Sequence, residues 1–277
     1  MCRMAILPKG YNGEKIVALL DHLEDAMGGD GNGFGFFGKD GAVQVVKGLK
    51  VKNETINKIE PVGEVVLYHT RKTSAGETSD DNTQPFLTKD KDKVPFLLCH
   101  NGTWTSHTDY KKILLMLGKI TVEAYQTWSD THFMAWLIEH QGEDRLELPS
   151  TGVWIQAYPD HAIVHVRSGD WQAIKVGKKW MYASEFPKGK DYPKVWDFKS
   201  DSVVYCSPEK GFKVLVGDKA TQDDNVPYVY NKSAWEKKDY STTGNGTGAV
   251  SKMFYYDKDG KKKDLVSPSC DDYSNAY

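Results

Sequence analysis

Apolar residues recur at helical spacing early in the chain, where Ile16, Leu19, Leu20, Leu23 and Met27 share one face. The pattern predicts an amphipathic helix over residues 14–27. A glycine-dense stretch follows, from Gly28 to Gly35. It reads as a structural loop, because closely spaced glycines suit tight turns and close backbone approach. It lacks the Gly-Lys-Ser/Thr ending of a phosphate-binding loop. Runs rich in Val, Leu, Phe and Tyr predict strands at 42–46, 64–69 and 96–100. The last two flank a long polar segment, 71–92, and a connection of that length is either functional or disordered. A helix is expected over 108–117. Another begins near Ser129, a suitable N-cap, and turns Phe133, Trp136 and Leu137 inward.

Beyond residue 150 the pattern changes to strands, at 153–158, 162–167, 171–176 and 179–183. A hairpin pairs 202–206 with 212–216 around the turn 207–211. Helices and strands thus come in blocks, which predicts α+β layering rather than parallel βαβ units. The final stretch, 218–277, is rich in Asp, Lys, Gly, Ser, Asn and Tyr and poor in aliphatic residues. It reads as a polar C-terminal extension, either partly ordered or used to dock a partner, behind a domain of residues 1–217.

Composition narrows the function classes. With 36 Lys+Arg against 38 Asp+Glu, the net charge of −2 gives no global drive toward nucleic acid or an anionic membrane. No apolar run approaches the roughly 20 residues of a membrane helix, and the opening MCRMAILPKG is too short in apolar residues for a secretion signal. The four cysteines, Cys2, Cys99, Cys206 and Cys270, lie far apart without a CxxC pair. That spacing argues against a disulfide framework or structural zinc site, and favours a reducing compartment, taken as the cytoplasm. His161 and His165 are four apart on an expected strand with no third ligand, so they read as structural or exposed. No metal or cofactor is expected.

Cys2 stands directly behind the initiator Met, and cysteine is small enough for removal of Met1 to be expected. The freed residue would carry a thiol and an α-amine of pKa about 8, so one residue supplies both nucleophile and base. Other segments bear on this. His69-Thr70-Arg71 leads through Thr73, Ser74 and Gly76 to Asn82-Thr83-Gln84-Pro85-Phe86. Leu98-Cys99-His100-Asn101-Gly102, Ser129-Asp130-Thr131, Arg167-Ser168-Gly169 and Ala183-Ser184-Glu185 follow in order. Together these blocks, over residues 2–216, resemble the signatures of the class II glutamine amidotransferases. The sequence departs from that pattern at Lys72, where synthase members often carry an aromatic, at Ala75, where they often carry His, and at His132, which replaces an acid.

The resemblance implies a four-layer α-β-β-α sandwich of two antiparallel sheets, the N-terminal-nucleophile hydrolase type. It implies that Cys2 attacks the side-chain amide of glutamine, forming a γ-glutamyl thioester and releasing ammonia. Asn101 and Gly102 would form the oxyanion hole, and a lost donor there typically costs 100- to 1,000-fold in rate, roughly 3–4 kcal/mol. Arg71 would hold the substrate α-carboxylate through its planar fork, with Ser74 as an added hydroxyl. Asp130, near a helix N-terminus, would take the α-ammonium. The expected partners are glutamine or a γ-glutamyl compound, and a synthase in a separate chain that receives the ammonia. Two other readings are a stand-alone hydrolase of γ-glutamyl amides or peptides, and an inactive binding or structural module on the same fold.

Overall fold

The computed structural model describes residues 2–10, 13–38, 42–90, 92–142, 151–188, 192 and 195–217, together with the backbone of two short strands at 253–256 and 262–265. Two antiparallel sheets form the centre. The first contains β1 (Arg3–Pro8), β2 (Asn32–Phe37), β3 (Val43–Gly48) and β4 (Val65–Thr70). The second begins with β5 (Phe86–Lys89) and β6 (Pro95–Asn101), and continues with β7 (Val153–Ala157) and β8 (Ala162–Val166). The chain then returns to the first sheet with β9 (Gln172–Val176), β10 (Lys179–Ala183) and β11 (Trp196–Asp197). It ends the second with β12 (Ser202–Ser207) and β13 (Gly211–Val216). The first sheet runs β11-β9-β10-β1-β4-β2-β3, and the second β13-β12-β8-β7-β6-β5. The two strands at the C-terminal end, β14 (Met253–Tyr256) and β15 (Lys262–Leu265), pair antiparallel with each other.

Strand alternation sorts side chains into layers. Along β1, Met4 and Ile6 face the second sheet while Ala5 and Leu7 face the helix α1 (Gly13–Met27). Along β6, Leu97 and Cys99 face inward while Phe96 and Leu98 meet α4 (Asp130–Gln141). α1 buries Ile16, Leu19, Leu20 and Leu23 against the first sheet. The outer face of the second sheet carries α4 and, beside it, α2 (His107–Met116), against which α3 (Val122–Thr127) packs. The order of layers is therefore α-β-β-α, and the fold class expected from the resemblance is the one found.

Most predicted elements fall within a few residues of the observed ones. Met27 is an exception in detail, lying exposed at the end of α1 rather than in the core. The glycine-dense stretch requires a correction. Residues 32–37 form β2, which lies inside the first sheet between β4 and β3. Phe34 and Phe36 face α1, while Gly33 and Gly35 face the opposite sheet, where Gln84, Pro85 and Leu97 leave no space for a Cβ. The glycines there serve close packing between sheets, not a turn. The polar segment 71–92 likewise contains a strand, β5, at its end. No helix among the described residues is long and apolar enough to cross a membrane. Most of residues 218–277, and so the expected polar extension, lies outside the described residues.

Candidate active site

Strand ends from both sheets and the N-terminus of α4 converge on one small cleft. It is lined by Cys2, Arg71, Lys72, Ser74, Ala75, Gln84, His100, Gly102, Ser129, Asp130 and Thr131. Of the residues singled out from sequence, Cys2, Arg71, Ser74, Gly102 and Asp130 all line it. Asn101 ends β6 immediately beside it, with its side chain turned toward Ser184 (Nδ2 to Oγ 3.5 Å). The side-chain Oδ1 of Asn101 is buried and has no hydrogen-bond partner among the described residues.

Cys2 precedes β1, whose register with β4 places Arg3 opposite Thr70. Its Sγ accepts a hydrogen bond from the Lys72 backbone N–H at 3.3 Å and lies 3.6 Å from the Lys72 carbonyl. Burial pushes the thiol above its ordinary range, and the Lys72 N–H opposes that shift. Arg3 secures the start of the strand. It donates to the Cys2 carbonyl (3.1 Å) and approaches Glu185 (3.5 Å). Ser184 accepts the Met4 N–H through Oγ (3.0 Å), and its own N–H donates to the Met4 carbonyl (2.9 Å). The Ala183-Ser184-Glu185 block therefore holds the chain end in place.

Arg71 follows β4, and its backbone N–H donates to Gly31 (2.8 Å). Its guanidinium donates to the carbonyls of Glu77 (2.8 Å) and Ala75 (3.1 Å), so the loop after it folds back around the cation. Gly76 permits that fold. It adopts φ +68°, and a Cβ there would collide with the backbone of Trp128 and Ser129. Asp30 holds the other side of the loop. It accepts the Thr73 N–H (2.8 Å), approaches Lys72 Nζ (3.5 Å), and is kept below the usual carboxylate range chiefly by the Thr73 hydrogen bond.

Asn82 joins this loop to α4. Its Nδ2 donates to the carbonyls of Glu77 (3.1 Å) and Thr127 (2.6 Å), while Oδ1 accepts the Ser129 N–H (2.8 Å). His132 also reaches Oδ1 of Asn82 (3.3 Å), with its ring between Phe86 and Trp128. Burial, with Lys47 and Lys111 nearby, lowers the pKa of His132 to about 3 and keeps it neutral. The departure at 132 thus substitutes a neutral donor for an acid. Two residues on, Gln84 clamps the strand that bears His100. Its Oε1 accepts the His100 N–H (2.6 Å) and its Nε2 donates to the His100 carbonyl (3.2 Å).

Ser129 caps α4 by accepting the His132 N–H (3.1 Å), which leaves Asp130 in the first turn. Asp130 is only 5% exposed, yet each of its oxygens has a partner. Oδ2 accepts the Trp104 N–H (2.9 Å), Oδ1 accepts the Thr131 N–H (2.8 Å), and His100 Nδ1 lies 3.6 Å from Oδ2. Burial alone raises its pKa, but His100 and the Trp104 N–H outweigh it and bring the carboxyl to about 2. The cleft consequently presents a fixed anion. Gly102 follows Asn101 against Thr151 and Gly152, where a Cβ has no room. Gly152 is itself held by the Arg167-Ser168 turn, since its N–H donates to Ser168 Oγ (2.8 Å) and its carbonyl accepts both backbone N–H groups of that turn.

Sequence reasoning gives no role to His100, Gln84 and the Lys72 backbone, which line the cleft, or to Asn82 and Ser184, which support it. Among the described residues no cluster of His, Cys, Asp and Glu has the geometry of a metal site. His161 instead meets Asp160 (2.8 Å), and His165 meets Gln156 (3.1 Å).

The chain matches no protein-family model. Over 96 residues, 35% of the chain, it is 31% identical to the amidophosphoribosyltransferase of Bacillus subtilis (strain 168), and that match covers 19% of the relative. Among solved structures, an allosteric regulatory enzyme of purine biosynthesis superposes with a TM-score of 0.58 at 19% identity. The glutamine phosphoribosylpyrophosphate amidotransferase from B. subtilis, solved with ADP and GMP, superposes with a TM-score of 0.57 at 18% identity. Each covers 77% of this chain, which spans 48% of the length of either structure. The chain therefore shares the sandwich fold of these enzymes over most of its length.

Proposed function

We propose that the chain is a glutamine-hydrolysing amidotransferase domain that releases ammonia for an acceptor enzyme. The observation that carries this reading is the cleft itself, where a thiol, a guanidinium and a buried ionised carboxylate face one space. A zwitterionic amino acid needs that pair of opposite charges, and its side-chain amide needs the nucleophile.

In this mechanism Met1 is removed and the α-amine of Cys2 serves as base. A base is needed because burial keeps the thiol protonated. The amine takes the thiol proton as Sγ bonds to the amide carbon of glutamine. The carbonyl oxygen becomes an oxyanion and accepts from the Asn101 side-chain amide and the Gly102 N–H. The C–N bond then breaks, the departing nitrogen takes the proton from the α-ammonium, and ammonia leaves. Water, deprotonated by the same amine, cleaves the thioester to glutamate and restores the thiol. Arg71 holds the α-carboxylate with the guanidinium hydrogens not spent on Glu77 and Ala75, Ser74 adds a hydroxyl, and Asp130 receives the α-ammonium.

The test is ammonia release from glutamine by the full chain. The wild-type protein is expected to release it, and Cys2→Ala to lose at least about a thousandfold in rate while keeping its circular-dichroism spectrum. Ammonia release that persists in the variant contradicts the assignment.

A further inference from the structure

The β6–β7 ladder ends at Asn101 opposite Val153, one residue short of Gly102. Strand alternation gives Gly102 its direction. His100 points its N–H away from β7, to Gln84 (2.6 Å), and two residues on Gly102 keeps to that side, where it lines the cleft. With no side chain of its own, Gly102 is held only by what fixes its neighbours. Those contacts converge on Thr151, two residues before β7. Thr103 meets it three times. The Thr103 N–H donates to Thr151 Oγ1 (3.1 Å), and the Thr103 carbonyl accepts from that hydroxyl (3.1 Å) and from the Thr151 N–H (3.1 Å). On the other flank, His100 Nε2 lies 2.9 Å from the Thr151 carbonyl, and an oxygen that only accepts makes Nε2 the donor. The His100 ring is fixed in turn by stacking on Trp154, with centroids 3.7 Å apart and planes 3° from parallel. Opposed residues of a regular antiparallel ladder exchange two backbone bonds. Between Thr103 and Thr151 one of the two is taken over by the hydroxyl, which leaves the Thr151 carbonyl to His100 and to the close face of Gly102.

We propose that Thr151 is a positioning residue of the oxyanion hole: its hydroxyl closes the ladder beyond Gly102 and so fixes the direction of the Gly102 N–H. This rests on the reading that Asn101 and Gly102 receive the oxyanion. Such a hole works by being preorganised, with its donors already aimed where negative charge develops. A displacement of about 1 Å is enough to cost about a hundredfold in rate. Without the hydroxyl, a single backbone bond joins Thr151 to Thr103, and the segment bearing Gly102 can pivot about it. Thr151 is exposed, so water serves the groups the hydroxyl leaves behind. Its removal therefore costs little stability, and what is lost is the aim of the donor.

The experiment compares full-length Thr151→Val, which keeps the shape and loses the hydroxyl, with Thr151→Ser, which keeps the hydroxyl. Thr151→Val should lower kcat for glutamine by about ten- to a hundredfold with KM unchanged, and Thr151→Ser should recover most of the rate. Two further readouts separate the oxyanion hole from a general disturbance of the cleft. Calorimetric affinity for glutamine, measured in Cys2→Ala protein, should be the same with and without Thr151→Val. Alkylation of Cys2 by iodoacetamide, in which Sγ displaces iodide and no oxyanion forms, should keep its wild-type rate. An unchanged kcat in Thr151→Val overturns the proposal, and so does a Thr151→Ser protein as slow as Thr151→Val. Glutamine affinity or alkylation that falls in step with kcat overturns it too, because the damage then lies outside the oxyanion hole. Wild-type protein that releases no ammonia from glutamine overturns the functional reading instead, and with it the role given to Thr151.

Discussion

The two helical layers of the sandwich are held by different physics. α1 covers the first sheet with Ile16, Leu19, Leu20 and Leu23, which meet Phe34, Val66 and Tyr68 in an apolar contact. Hydrophobic burial needs only the right volume and spacing. On the other side, α4 also buries Phe133, Met134, Leu137 and Ile138, but its first turn buries Ser129, Asp130 and Thr131 as well. Each of those polar groups is matched by a partner brought from elsewhere, from Asn82, Gln84 or Trp104. An unsatisfied buried polar group costs more than a well-made bond returns. α1 has a polar contact of its own, where Asp21 and Glu24 accept from the buried Asn53, but only the second layer carries its buried polar groups into the cleft, and the candidate chemistry lies there.

Three substitutions or perturbations sharpen that contrast. Among the substitutions, the largest effect on stability at neutral pH is expected from Leu20→Ala, which empties a fully buried site in the apolar layer. Chemical denaturation should show a loss of about 2–5 kcal/mol, with KM for glutamine unchanged in the protein that remains folded. A changed KM would mean that the layers are coupled. Asn82→Ala should cost less stability, about 1–3 kcal/mol for the groups it leaves unpaired. It should also raise KM, because Asn82 and Arg71 share the Glu77 carbonyl. An unchanged KM would show that the network is only structural.

The third contrast is in acid. His69 and His132 have folded-state pKa values lowered to about 3 by burial, below the ordinary value of 6.5. The unfolded chain binds protons first, so stability falls as pH drops below about 6.5, by about 1.4 kcal/mol per pH unit for each histidine. Asp130, lowered to about 2 from 3.8, adds a further loss as pH falls from about 4 toward 2. His132→Gln should shallow the first slope in pH-dependent denaturation.

This division also explains what was legible in the sequence. Spacing is enough to find α1, because one of its faces is repetitively apolar, while Ser129 marks the start of α4 as its N-cap and runs of β-branched and aromatic residues mark the later strands. It fails at β2, where Gly33 and Gly35 imitate a loop but serve inter-sheet contact with Gln84, Pro85 and Leu97. It also passes over β1, whose opening residues carry no punctuation, and α3, a six-residue helix without a repeating stripe. In the cleft, Cys2, Arg71 and Asp130 become a set only through the resemblance, since each alone reads as an ordinary residue. His100 and Ser184 act through register and backbone contacts that spacing does not encode. Lys72 contributes its N–H to Cys2 and not its charge, which is half exposed and directed at Asp30.

The central claim is that Cys2, stripped of Met1, is a nucleophile aimed at a glutamine-shaped pocket. Intact-mass analysis of the purified protein, before and after exposure to an electrophilic glutamine analogue, tests both parts at once. The account predicts a mass lacking Met1, one added label per chain mapping to Cys2, and protection by glutamine. A retained Met1, or a label that maps to Cys99 or Cys206 and ignores glutamine, contradicts it.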